Sequence, residues 1–141
     1  MRDVAYGAKE VVMIKTSGLN HIALKVSDPE RTAQFYVDLF NMEITRRTPD
    51  MTFLKTVDST DMITLNRSEA EVAPDQGMVH FGFIVDPEQF DAALQTIEAK
   101  GAPIVSGPGA RDQGRFVFIA DPDGYTIELF ECLLPPYEAA N

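Results

Sequence analysis

The chain has 141 residues, of which 45% are hydrophobic and 24% charged, with a formal net charge of −10 and a pI near 4.5. This composition predicts one folded domain with a hydrophobic core and excludes a disordered chain. The acidity argues against nucleic acids and anionic membranes as partners, because phosphate binding requires a basic surface. The single cysteine, Cys132, cannot form an internal disulfide, and the apolar run at 11–14 is too short for a signal peptide or a membrane span. We therefore expect a cytoplasmic protein.

The two ends of the chain differ from the part between them. Residues 1–17 are predicted to be an N-terminal extension, in which the segment 10–15 would be an extra strand or a dimer arm. Residues 133–141 contain two consecutive prolines and are predicted to be a C-terminal tail. Residues 18–132 are predicted to form a single domain of two modules, about 18–70 and 77–132.

The first module begins with a strand-like segment, 18–26, that has a counterpart at 77–85. Each segment opens with a glycine and has a histidine three residues later, and these histidines, His21 and His80, are the only two in the chain. Because side chains alternate along a strand, one face of each segment is predicted to be the core face. The predicted core positions are Ile22, Leu24 and Val26 in the first copy and Phe81, Phe83 and Val85 in the second. The histidines lie on the other face. Each is beside a small residue, Ala23 in the first copy and Gly82 in the second, which leaves space above the sheet for a ligand.

Both segments run into an Asp-Pro pair, at 28–29 and 86–87, which is a strong helix start. The predicted helices end near Asn41 and at Gly101. Three short strands follow each helix, and their predicted bounds are roughly 42–48, 51–57 and 62–67 in the first half and 103–105, 115–120 and 125–131 in the second. The last two are joined by a tight Asp-Pro-Asp-Gly turn at 121–124. Each half is therefore predicted to be a strand, a helix and three strands.

The two histidines and a late glutamate, Glu128, are the candidate metal ligands. Two imidazoles and one carboxylate hold a divalent metal on one face and leave its other positions open. Fe(II), Mn(II), Zn(II) and Ni(II) all suit this ligand set. The alternative for each histidine is a polar residue hydrogen-bonded at a sheet edge, and for Glu128 an exposed strand residue.

Five further residues are candidates for roles beside the metal. Arg111 and Arg115 could close over a ligand and stabilise an anionic oxygen, and the alternative is an ordinary solvated hairpin. Lys25 shares a strand face with His21 and is a candidate for substrate binding, or else a solvent-facing lysine. Tyr36 and Tyr125 are candidate proton donors. The alternatives are that Tyr36 packs in the first helix and that Tyr125 closes the turn.

These segments together resemble the vicinal oxygen chelate superfamily, which includes glyoxalase I, extradiol dioxygenases, fosfomycin-resistance enzymes and bleomycin-resistance proteins. The resemblance covers about residues 18–132. It is carried by Leu-Asn-His-Ile-Ala-Leu at 19–24, Phe-Tyr at 35–36, His-Phe-Gly-Phe at 80–83 and Asp-Pro-Asp-Gly-Tyr-Thr-Ile-Glu-Leu at 121–129. It implies an α+β fold in which two βαβββ modules form a curved mixed sheet around a metal.

The resemblance also implies roles for single residues. His21 and His80 match the family's ligand positions on the first strand of each module, and Glu128 matches the one on the last strand of the second. When the two turns are aligned, Leu65 falls at the fourth ligand position, where glyoxalase I has a carboxylate. The resemblance further implies a homodimer in which His21 comes from the subunit opposite His80 and Glu128.

A metal-dependent enzyme of the glyoxalase or dioxygenase class, acting on a small oxygenated metabolite or xenobiotic, is the first functional hypothesis. The leucine at the fourth position argues against glyoxalase activity. The absence of a further histidine argues against a catechol dioxygenase, and the sequence Phe-Val-Phe at 116–118 lacks the tyrosine expected of a fosfomycin transferase. The alternative is a metal-free protein that sequesters a ligand or drug, as bleomycin-resistance proteins do.

Overall fold

The two halves of the chain fold as two βαβββ modules, as the repeat predicts. The computed structural model describes residues 4–6, 9–11, 13–15, 19–131 and 133. The predictions for Cys132 and for the tail beyond Leu133 lie outside the described residues. The α+β class is confirmed, and the strands form two separate four-stranded mixed sheets.

The first module consists of β3 (Ile22–Val26), α1 (Pro29–Phe40), β4 (Met42–Arg47), β5 (Met51–Thr56) and β6 (Ile63–Arg67). Its sheet has the order β3-β6-β5-β4, with β3 and β6 parallel and the other pairs antiparallel. The Asp28 carboxylate caps α1 by accepting hydrogen bonds from two backbone N–H groups of the first turn, with Pro29 as the first helical residue. The helix ends where Asn41 adopts a left-handed conformation, with φ of 51°.

The second module repeats this order with β7 (Phe81–Ile84), α2 (Phe90–Lys100), β8 (Ile104–Arg111), β9 (Gly114–Ala120) and β10 (Thr126–Phe130). Its sheet has the equivalent order, β7-β10-β9-β8, with β7 and β10 parallel. The second helix starts later than the first because the side chain of Asp86 makes no capping hydrogen bond. Pro87–Gln89 instead form a 3₁₀ turn.

Strand β8 is longer than the pattern predicts. A strand at 103–105 was expected, but the structure continues the strand to Arg111. Its pairing with β9 shifts register twice, between Ile104 and Ser106 and between Ser106 and Gly109. These irregularities place Arg111 at the end of a hairpin rather than in a long loop.

Outside the modules, the N-terminal extension contains a small antiparallel sheet of β1 (Val4–Tyr6) and β2 (Lys9–Val11). Of the extra strand predicted at 10–15, only residues 10 and 11 lie in a strand, β2, which pairs with the N-terminal segment itself, and residues 13–15 are not in a strand. No helix among the described residues is long and apolar enough to cross a membrane.

The hydrophobic core lies under the inner faces of both sheets. The fully buried large side chains are contributed by both modules: Leu24, Leu54, Leu65, Ile97, Ile119, Ile127, Tyr36 and Phe90. The partly buried Ile22, Phe81, Phe83 and Val85 pack against them, so the predicted core face of each first strand is confirmed. The opposite face of each sheet is open.

The Asp-Pro-Asp-Gly turn of the second module fastens the two modules together. Asp121 accepts a hydrogen bond from the hydroxyl of Tyr36 at 2.8 Å, and Asp123 accepts from the backbone N–H of Ser27 and the hydroxyl of Thr32, each at 2.9 Å. A stacked pair of rings, Phe40 on Phe83 with centroids 4.6 Å apart, adds an apolar contact. The turn therefore holds both sheets in a defined relative position.

Candidate metal centre

The two histidines lie at equivalent places, immediately before the first strand of each module. The sequence places them within the strands, whereas β3 begins at Ile22 and β7 at Phe81. Both side chains are accessible to solvent. The amide oxygen of Asn20 lies 2.8 Å from Nδ1 of His21. Because this oxygen only accepts, Nδ1 carries the proton and Nε2 keeps its lone pair for a ligand.

Glu128 lies next to His80 on the open face of the second sheet. Strand β10 runs parallel to β7 with Glu128 opposite Gly82, and the buried neighbours Ile127 and Leu129 point the other way. Oε1 of Glu128 is 3.4 Å from Nε2 of His80, and the two side chains are 14% and 38% exposed. A nitrogen and an oxygen donor therefore face the same small volume.

Gly82 has a different role from the one its size suggests. A small residue here was expected to leave room for a ligand above the sheet. A Cβ atom at this position would lie 2.8 Å from the backbone oxygen of Glu128 and 3.2 Å from its Cβ. The glycine therefore lets the strand that carries Glu128 approach β7 closely.

Three phenylalanines surround the pair on the open face. The ring of Phe118 meets the imidazole of His80 edge-on, with centroids 5.1 Å apart. Phe116 and Phe130 are paired in register on the neighbouring positions of β9 and β10. Sequence reasoning missed their role, although the alternation of Phe-Val-Phe beside the strand of Glu128 carried the signal.

Arg111 covers this aromatic surface. Its guanidinium lies 4.5 Å from the ring centroid of Phe116 and 5.1 Å from that of Phe130, and it donates a close hydrogen bond to Oε2 of Glu128. Such a position is favourable because the ring faces are negative and the carboxylate is anionic. Arg111, which is predicted to bind the substrate, therefore lies beside Glu128.

Arg115, which was predicted to have a catalytic or substrate-binding role, lies apart from this group, on the other side of the sheet. Its side chain lies on the core side of β9, where its guanidinium is 4.7 Å from the ring centroid of Phe90. It donates to Glu131 at 2.5 Å and to Asp91 at 2.7 Å. Strand alternation explains the placement. Phe116 and Phe118 lie on the open face, so Arg115, which immediately precedes Phe116, lies on the core side with Val117.

Tyr36, Tyr125 and Lys25 also lie away from His80 and Glu128, in the contact between the modules. Tyr36 is fully buried, and burial together with the nearby Asp121 carboxyl raises the pKa of its hydroxyl well above the usual value. Tyr125 donates its hydroxyl to the backbone oxygen of Lys25 at 2.9 Å. The alternative structural roles of the two tyrosines are therefore the ones observed, and the Lys25 side chain extends to solvent.

The fourth ligand position is occupied by threonine, not leucine. Ala23 pairs with Thr64 in the first sheet as Gly82 pairs with Glu128 in the second. Leu65 is the counterpart of Leu129 and is completely buried in the core. Aligning the two turns shifted the register by one residue, and such a shift moves a side chain to the opposite face of the sheet. The conclusion that this position lacks a carboxylate is unchanged.

His21 does not complete a three-ligand cluster within one chain. Among the described residues, no group of three histidine, cysteine, aspartate or glutamate side chains is arranged to hold a metal. His21 instead lines a groove of about 350 Å³ whose far wall is formed by Phe81, Gly82 and Phe83 of β7. His21 therefore lies near β7, the strand that follows His80, but it does not join His80 and Glu128 in one cluster.

The chain is similar in sequence to proteins of two kinds. Lactoylglutathione lyase of Arabidopsis thaliana is 28% identical over 123 residues, covering 79% of this chain, and the chain spans 43% of that protein's length. The fosfomycin resistance protein FosX of Listeria monocytogenes is 28% identical over 117 residues, covering 80% of this chain and 88% of that protein.

The fold is also that of a solved structure, a mutant of Listeria monocytogenes FosX in complex with Mn(II) and dihydroxypropylphosphonic acid. It has a TM-score of 0.71 and 24% sequence identity, and the match covers 85% of this chain and 94% of that one. The family model for the Glyoxalase/Bleomycin resistance protein/Dioxygenase superfamily matches residues 18–129, which is most of the chain and both modules. The chain therefore belongs to the Glyoxalase/Bleomycin resistance protein/Dioxygenase superfamily.

Proposed function

We propose that this protein is a metal-dependent enzyme that acts on a small oxygenated metabolite or xenobiotic. His80 and Glu128 of one subunit and His21 of its partner would hold the metal. The observation that carries the proposal is the position of His80 and Glu128, whose donor atoms lie 3.4 Å apart on an open sheet face. Such a pair needs one more ligand to form a two-histidine, one-carboxylate set.

The donor set fits a divalent transition metal. Both imidazoles are accessible, and the hydrogen bond from Nδ1 of His21 to Asn20 leaves Nε2 free to bind. Fe(II), Mn(II), Zn(II) and Ni(II) remain the candidates, and a relative of the same fold binds Mn(II). When bound, the metal would act as a Lewis acid on adjacent substrate oxygens.

Two other side chains near the proposed metal, Arg111 and Phe118, would contribute to substrate binding and to the positioning of His80. Arg111 lies at the carboxylate and would stabilise negative charge on a substrate oxygen. Phe118 lies against His80, limits the movement of the imidazole and keeps water from that side. Phe118 has no hydroxyl group, so it cannot donate a proton to the substrate.

A second copy of the chain would supply the third ligand. The strands β3 and β7 each have one free edge, and three large apolar side chains near the candidate ligands face solvent: Leu19 at 94%, Val79 at 85% and Ile84 at 61% exposure. Apolar side chains around a polar centre are typical of a surface that a partner covers. We infer a homodimer in which the first module of one subunit lies over the second module of the other.

Metal analysis tests the proposal. Protein purified without chelator and reconstituted with each of the four metals should bind about one metal per chain. His80→Ala should lose the metal, whereas the matched Arg115→Gln, on the other face of the sheet, should keep it. No bound metal after reconstitution would contradict the proposal.

Mixing two variants tests whether the site is shared. His21→Ala and Glu128→Ala subunits each lack one half of the site, and neither homodimer should bind metal. After unfolding and refolding together, heterodimers should have one intact site, so the mixture should recover about a quarter of the wild-type metal. If the site lies within one chain, the mixture recovers none, and a monomer in sedimentation analysis would exclude the dimer.

A metal-free ligand-sequestering protein is the second candidate, and one observation favours it. Arg111 already neutralises Glu128 within the chain, so the carboxylate has a partner without any metal. In such a protein the aromatic surface and Arg111 would bind a ligand directly. Ligand binding that is unchanged by a chelator would support this candidate over the enzyme.

A further inference from the structure

We propose that the open face of the second sheet selects a small anion with a flat apolar body, such as an aromatic carboxylate. Arg111 would bind the anionic group. Phe118 would hold the body, together with the parts of Phe116 and Phe130 that the guanidinium leaves exposed. This inference rests on the proposed function for the location of the substrate and adds its chemical class.

The apolar half of this site is a surface that the core does not use. Phe118 is opposite Glu128 in the sheet, and Phe116 is opposite Phe130, so the three rings adjoin the carboxylate on one face. The rings of Phe116 and Phe118 meet edge-on with centroids 5.7 Å apart. All three rings are only partly buried, while the core face of the same strands holds the fully buried Val117, Ile119 and Ile127. Partly exposed rings next to polar donors are the lining that small-molecule sites use.

The cationic half is Arg111. Its side chain is 48% exposed, and its guanidinium lies over two rings, which hold the planar group in a fixed orientation. Among the described residues its only side-chain hydrogen-bond partner is Glu128. A guanidinium has five N–H donors, so it has donors left for a second anion.

Local charge favours an anionic ligand. A divalent metal with two neutral imidazoles and one carboxylate has a net charge of about +1, and Arg111 adds one more. Glu128 cannot neutralise both cations, so an anion bound between them would be stabilised by both. The chain as a whole has a charge of −10. At physiological salt the Debye length is about 8 Å, so repulsion from distant acidic residues is screened more strongly than attraction by the metal and Arg111.

Three probes with oxygens on adjacent carbons separate these features. Mandelate has a ring and a carboxylate, lactate lacks the ring, and 1-phenyl-1,2-ethanediol lacks the charge. Titration calorimetry on Mn(II)-loaded and metal-free protein should show that mandelate binds at least about tenfold more tightly than either of the others.

Variants assign the two halves. In the metal-free protein, Arg111→Gln should remove the preference for mandelate over the diol and keep the preference over lactate. In the Mn(II)-loaded protein it should reduce the first preference without removing it, because the metal also attracts the carboxylate. Arg111→Lys, which retains the charge but not the fork of donors, should keep part of the first preference. Phe116→Leu should reduce the preference over lactate. Arg115→Gln is the control on the other face and should change neither.

Equal affinity for mandelate and lactate, or for mandelate and the diol, would overturn the inference. Its failure is distinct from that of the metal proposal. If no metal binds but mandelate still binds in an Arg111-dependent way, only the metal proposal fails. If metal binds and the three probes bind alike, only the substrate class is wrong.

Discussion

The two modules have one backbone plan and differ at a single position that decides where a metal can bind. Each has a histidine before its first strand and a small residue two positions later, Ala23 or Gly82. Across the parallel pair, that small residue is opposite Thr64 in the first module and Glu128 in the second. Within the part of the chain that the structure describes, only the second module has a carboxylate at this position, within 4 Å of its histidine.

The similarity extends to the aromatic surface. Phe53 pairs with Thr64 as Phe118 pairs with Glu128, and Arg46 lies 5.5 Å from the ring centroid of Phe53. An arginine over a phenylalanine therefore occurs on the open face of both modules. The comparison teaches that the repeat supplies the same framework twice, while one acidic residue distinguishes the copy in which we propose the metal site.

The largest expected effect comes from removing that acidic residue. Glu128→Ala should weaken metal binding by at least about 100-fold, since loss of a direct ligand costs more than the 10–100-fold typical of residues that only support one. The matched change in the first module, Thr64→Ala, should leave the affinity unchanged. Metal titration monitored by calorimetry measures both, and equal losses would show that the modules are equivalent.

Tyr36→Phe should weaken the contact between the modules. The change removes the hydrogen bond to the buried Asp121 carboxyl and should lower the free energy of unfolding by about 1–3 kcal/mol. Urea unfolding measures it, and Gln34→Ala, an exposed change on the same helix, should alter stability by less than about 0.5 kcal/mol.

The pH dependence of this loss has a definite sign. Burial raises the pKa of Asp121, and the Tyr36 hydroxyl opposes that rise. A raised carboxyl pKa means that the contribution of Asp121 to stability is present at low pH and is lost as pH rises through the folded-state pKa. Tyr36→Phe should therefore destabilise more at neutral than at acid pH, and a larger loss at acid pH would contradict this assignment.

A methyl group at Gly82 should sharpen the difference between the modules. Gly82→Ala places a Cβ atom 2.8 Å from the backbone oxygen of Glu128, so the two strands must separate. We expect metal affinity to fall by about tenfold, as for other changes that misplace a ligand. Ala23→Gly, at the equivalent position of the first module, should have no effect on affinity. Unchanged affinity in Gly82→Ala would show that the close approach of the strands is not needed.

The smallest effect concerns two ion pairs outside the candidate metal centre. Hydrogen bonds from Arg115 lower the pKa of Glu131, so its contribution to stability is present above the usual glutamate pKa and is lost as pH falls through the lowered value. Glu131→Gln should therefore lower stability at neutral pH and flatten the acid side of the stability curve. In the first module, Glu30→Gln removes an exposed pair with Arg47 and should change stability by less than about 0.5 kcal/mol. Thermal unfolding between pH 3 and 8 measures both, and identical curves for Glu131→Gln and wild type would contradict the expectation.

Much of the fold follows from local chemistry that is visible in the sequence. The first Asp-Pro pair predicts where α1 begins, whereas the second is followed by a 3₁₀ turn and α2 begins only at Phe90. Asn41 and Gly101 predict where the helices end, and alternation predicts the core face of both first strands. The extent of β8 could not be predicted, because its two register shifts depend on how β9 lies beside it. The register between β3 and β6 also depends on how the strands pair. The sequence alignment therefore assigned Leu65 to the fourth ligand position, which Thr64 occupies in the structure.

The sequence by itself determined the repeat, the superfamily and the three candidate ligands, because these depend on residue type and on spacing along one strand or turn. Only the tertiary structure decided which side chains share a face. It placed Arg111 over the rings beside Glu128 and Arg115 on the core side, a difference that depends on strand alternation and on the end of a hairpin. It also separated His21 from His80 and Glu128 within one chain, because the two first strands belong to different sheets.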